Sequence, residues 1–73
     1  IKYVYNTMFE AIIYASDNED EIAVDWLLKK CRLTSTMKHK LLEQVTEYEK
    51  GNEFPSYLLT ILMLELKLML ELN

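Results

Sequence analysis

Ser35 and Lys38 stand three residues apart in Ser35-Thr36-Met37-Lys38, the S-x-x-K spacing that pairs a nucleophilic serine with its lysine in penicillin-recognising enzymes. That chemistry also requires a second serine or tyrosine motif, a K-T-G strand and enough chain to enclose a substrate. A chain of 73 residues with neither motif supplies none of these. The same four residues read better as a helix start, where Thr34 or Ser35 accepts a free backbone N–H and Thr36 tolerates the first turn.

Cys31 and His39 are the one conceivable thiol–imidazole pair. They sit eight residues apart, and no Asn or Asp falls where an orienting group would stand. Cys31 therefore reads as a small buried hydrophobe. One cysteine with one histidine is short of any zinc set. The acidic run Asp17, Glu19, Asp20, Glu21 lacks the loop glycine and spacing of a calcium site and reads as a solvated helix start. No glycine-rich loop is present to cradle a phosphate. The expectation is a protein without catalytic residues, cofactor or metal.

Basic residues are less easily set aside. Net charge is −4, yet no acid occurs between Asp25 and Glu43, where Lys29, Lys30, Arg32, Lys38 and Lys40 fall together with His39. Cations at the end of one helix are favoured by its dipole, but cations opening the next cost about 0.3–1 kcal/mol each at low salt. With the hydroxyls of Thr34, Ser35 and Thr36 and free N–H groups nearby, this corner has the ingredients of an anion site. Weak contact with phosphate or a nucleic-acid backbone is one expectation for it. Solvated lysines balancing acid elsewhere is the plainer one. Base readout by a helix-turn-helix is disfavoured, because Glu43, Glu47 and Glu49 follow on the would-be recognition helix. Arg32, three residues before Ser35, also leaves phosphorylation of that serine open.

These residues are positioned by an all-α chain. Half the residues are apolar, with one Gly and one Pro, a composition that argues against disorder, β-sandwiches and low-complexity linkers. The spacing of apolar residues predicts a compact four-helix domain with helices at about 2–15, 19–31, 35–50 and 55–72. In the first, Lys2, Asn6 and Glu10 form one thin polar stripe, and Tyr3, Val4, Met8, Phe9, Ile12 and Ile13 cover most of the rest. In the second, Ile22, Ala23, Trp26, Leu27 and Cys31 are expected to turn inward. The third has Met37, Leu41, Leu42, Val45 and Tyr48, and is expected to close on Gly51 in a left-handed conformation. Pro55 is placed in the first turn of the fourth helix, with Phe54 packing back on it.

The fourth helix has more apolar surface than one domain face needs. Two seams follow helix-packing spacing: Tyr57, Ile61, Leu64, Leu68 and Leu72 on one side, and Leu59, Leu62, Leu66 and Met69 on the other. Glu65 and Lys67 interrupt the run and exclude a membrane span, and the thin acidic polar stripe disfavours a membrane-surface helix. Each uncovered Leu forgoes about 1.5–3 kcal/mol, a large share of what holds a small domain together. The expected function is a non-catalytic scaffold module that forms a dimer or tetramer through helices 4 and 1. Its interface is expected at Leu59, Leu62, Met63, Leu66, Met69 and Leu70. The alternative is a groove accepting an amphipathic helix of another protein.

Ile1 stands where a full chain would begin with Met, so the domain is expected to be one module of a longer protein. A lone cysteine and the absence of Asn-x-Ser/Thr sites point to an intracellular setting, cytoplasmic or nuclear.

Overall fold

Apolar residues recurring every three to four positions become four helices: α1 (Lys2–Asp17), α2 (Glu21–Cys31), α3 (Ser35–Lys50) and α4 (Tyr57–Glu71). The computed structural model describes the backbone of residues 2–71 and the side chains of residues 7–71. Among these residues there is no strand, and no helix is long and apolar enough to cross a membrane. The expectations for the side chains of Lys2, Tyr3, Val4 and Asn6, and for Leu72, lie outside the described residues.

The core is one cluster. Phe9, Ile12 and Ile13 of α1, Leu41 and Val45 of α3, and Leu59, Leu62 and Leu66 of α4 are buried against one another. Helix α2 seals it with the buried Val24 and the partly buried Leu27, Leu28 and Cys31. Helix α1 is the hub: it packs closely on α2, less extensively on α4 and least on α3, while α3 and α4 form the second close pair. The radius of gyration is 11.4 Å, close to the ~11 Å of a closed domain this size. Apolar residues left outside are therefore not explained by a splayed arrangement.

Each boundary has a local cause. Helix α1 runs two residues past the expected Ala15 because its last turn is held from outside. Ser16, fully buried, donates its hydroxyl to the Ile12 carbonyl at 2.8 Å. Asp17 accepts from the Tyr48 hydroxyl (2.7 Å) and the Asn52 amide (3.3 Å). Ser56 donates to the Ser16 carbonyl at 2.7 Å. These bonds tie the end of α1 to α3 and to the 51–56 connection. Tyr14 adds an edge-to-face contact with Tyr48 at 6.1 Å.

Asp20 caps α2 by accepting the Ala23 N–H at 3.2 Å, so that helix begins at Glu21 and not near Glu19. Thr34, of the two residues considered, caps α3 by accepting from the Met37 N–H at 3.2 Å. Ser56 caps α4 by accepting the Leu59 N–H, which leaves Pro55 outside the helix rather than in its first turn. Phe54 is exposed and does not pack back on α4.

The left-handed positions are not at the glycine. Gly51 closes α3 at φ −82°, a conformation open to any residue. The positive φ values fall on Glu19 (57°) and Arg32 (44°). Arg32 is the left-handed cap of α2, the role expected of Gly51 in α3.

Candidate association surface

Helix α4 presents its two seams to opposite sides. Leu59, Leu62 and Leu66 lie in the core with almost no accessible surface. Met63 and Met69 pack partly buried against that core, and Leu70 is half-buried. The expected interface is therefore corrected at Leu59, Leu62 and Leu66, whereas Met63, Met69 and Leu70 keep part of their surface. Leu59, Leu62 and Leu66 cannot touch a second protein while the domain is closed, and Met63 and Met69 are partly spent on the same core. The opposite seam is open. Tyr57 is 75% exposed, Leu64 52% and Leu68 59%, with the half-buried Ile61 between them. At about 1.5 Å per residue this row runs ~16 Å along the outer face.

Helix α2 adds a second correction. Ile22 (84% exposed) and Trp26 (59%) face outward, not inward. The inward set is Val24, Leu27, Leu28 and Cys31, at i, i+3, i+4 and i+7. Leu27 and Cys31 belong to the expected and the observed set alike, so the spacing does not by itself choose Val24 and Leu28 over Ile22 and Trp26.

Between α2 and α4, which make little direct contact, lies a groove. At one end it is lined by Tyr57, Leu58, Ile61, Glu19 and Glu21. At the other, Val24, Leu28 and Leu62 form its floor, with Asp25 and Glu65 at the edge. The pattern alone did not reveal this groove, because it depends on how α2 sits beside α4. A shallower depression between α1 and α3 is lined by Glu10, Tyr14, Glu43, Glu47 and Tyr48.

The basic corner lies at the end of α2 and the start of α3. Lys29, Lys30, Arg32, His39 and Lys40 are exposed, and Lys38 is half-buried. Among the described residues the ion pair formed, Lys50–Glu47 at 3.7 Å, lies outside this corner. Lys30 Nζ sits 5.7 Å from the centre of the Trp26 ring, a cation–π contact at an exposed site.

The residues with chemical potential have structural surroundings. Ser35 is the exposed first residue of α3, beside the Thr34 cap. Burial pushes the Cys31 thiol above its ordinary pKa, which disfavours the reactive thiolate. Among the described residues no three His, Cys, Asp or Glu side chains gather as metal ligands.

No family model, no curated protein and no solved structure matches the chain. The functional reading rests on the surface itself.

Proposed function

We propose that the domain is a non-catalytic association module of an intracellular protein, joining two copies of itself through the outer seam of α4. The observation that carries this reading is the row Tyr57, Ile61, Leu64 and Leu68, opposite a core already filled by Leu59, Leu62 and Leu66. A row with that spacing is self-complementary. Two α4 helices crossing on a two-fold axis would each offer knobs to the other. Burying the exposed parts of Leu64 and Leu68 is worth about 1 kcal/mol each, and that of Tyr57 about 3 kcal/mol. Doubled across a two-fold axis the gain is about 10 kcal/mol, against roughly 4–15 kcal/mol of association cost. At the low end of that cost about 6 kcal/mol remains, so the dimer is weak, with a dissociation constant of tens of micromolar at best. Sedimentation of the chain and of Leu64→Glu/Leu68→Glu tests it. Self-association should vanish in the variant while its helical circular dichroism persists.

A second reading concerns the basic corner, and the outward Trp26 beside Lys30 favours it. A flat ring beside exposed cations suits weak, salt-dependent contact with single-stranded nucleic acid. Lys38→Glu/Lys40→Glu should abolish any such binding without changing the oligomeric state.

A further inference from the structure

The α2/α4 groove differs in character from the outer seam of α4. Its floor is apolar, whereas its rim carries Glu19, Glu21, Asp25 and Glu65, all exposed. Among the described residues no cation lines it. An occupant must cover the floor while bringing positive charge to four carboxylates, because a neutral or acidic one would leave them crowded and partly desolvated.

The backbone narrows the choice further. The walls are helices whose N–H and C=O groups are used internally, and no strand edge exists among the described residues to pair with an extended segment. An occupant that satisfies its own backbone is favoured, which means a helix. From Tyr57 to Glu65 the groove runs about 12 Å, or two helical turns. That length holds apolar anchors at i, i+3 or i+4, and i+7.

A second copy of this chain fits poorly. Its net charge is −4, and its exposed cations Lys29, Lys30, Arg32 and Lys40 gather at the end of α2 and the start of α3, not along both sides of an apolar row two turns long. We propose that the α2/α4 groove binds a partner protein's amphipathic helix, whose two or three apolar anchors are flanked by Lys or Arg. This site goes beyond self-association through the outer seam. Tyr57 and Ile61 belong to both surfaces, so the test uses residues unique to each.

The probe is a fluorescein-labelled Leu/Lys helical peptide of about 14 residues, compared by anisotropy with a scrambled peptide of identical composition. The chain should bind the amphipathic peptide and discriminate against the scrambled one. Asp25→Lys/Glu65→Lys, at two exposed positions, should weaken binding about tenfold. Glu43→Lys/Glu47→Lys, which makes the same charge change at the α1/α3 depression, should leave it within about twofold. Leu64→Glu/Leu68→Glu should retain peptide binding even where self-association is lost.

No binding, equal binding of the scrambled peptide, or equal weakening by the two charge-reversal variants would overturn the proposal. Loss of peptide binding in Leu64→Glu/Leu68→Glu would also overturn it as a separate site. If Asp25→Lys/Glu65→Lys dissolves a homodimer, the occupant is a second copy and the proposal falls.

Discussion

Leu66 and Leu68 stand two positions apart on α4 and should respond to the same truncation in opposite ways. Leu66 has no accessible surface, whereas Leu68 is 59% exposed. Leu66→Ala opens a cavity inside the core and should cost about 2–5 kcal/mol of folding stability. Leu68→Ala removes only the covered part of its side chain, worth about 1 kcal/mol or less in the monomer. The better helix propensity of Ala offsets part of that. In a two-fold dimer the same change removes about 1 kcal/mol from each copy, so the dissociation constant should rise roughly thirtyfold. Urea unfolding at low concentration reads the monomer term. The concentration dependence of the melting temperature reads the other, because association stabilises by mass action. Leu66→Ala should lower the urea midpoint strongly. Leu68→Ala should barely move it, yet flatten the dependence of melting on concentration. A Leu68→Ala chain as destabilised as Leu66→Ala in dilute solution would refute the assignment of the two seams.

Four further substitutions test the local geometry. Gly51→Ala should stabilise the domain by about 0.4–1 kcal/mol, since φ is −82° and an added Cβ meets nothing closer than 3.7 Å; denaturant unfolding reads this. Arg32→Gly should stabilise by about 0.5–1 kcal/mol, the relief of left-handed strain outweighing the entropy of glycine, measured in the same way. Thr34→Ala should cost about 0.5–2 kcal/mol through loss of the α3 cap. Tyr48 has a pKa raised above its ordinary value, first by its hydrogen bond to Asp17 and then by burial. Its contribution is therefore complete below pH ~10 and lost as pH rises through the folded-state value. Tyr48→Phe should lower stability at neutral pH by about 1.5–3 kcal/mol and flatten the fall of the melting temperature in alkali.

The four helices were legible in the sequence because each has an apolar period and polar punctuation. The expected apolar residues Phe9, Ile12 and Ile13 of α1 and Leu41, Val45 and Tyr48 of α3 are among those turned to the core. Helix α2 defeated that reasoning: seven of its eleven residues are apolar, so the period fits two faces and only packing against α1 chooses Val24 over Trp26. Helix α4 was ambiguous for the same reason, and its inward seam was assigned outward. Cap chemistry was partly readable. Thr34 acts as one of the expected caps, but Gly51 was misread, because the chain turns after α3 without a left-handed residue and Asn52 reaches back to Asp17. The polar tie through Asp17, Tyr48 and Ser56 spans 31 to 40 residues and leaves no local pattern. The groove between α2 and α4 was invisible for the same reason.

The central claim is that the outer seam of α4 is spare surface held for a second copy. Sedimentation equilibrium from about 10 µM to 1 mM covers the affinity expected of so small an apolar row. The average mass should climb toward twice the 8.7 kDa of one chain, and Leu64→Glu/Leu68→Glu should stay at the mass of one chain with its helices intact. A wild-type mass fixed at one chain across that range would contradict the account.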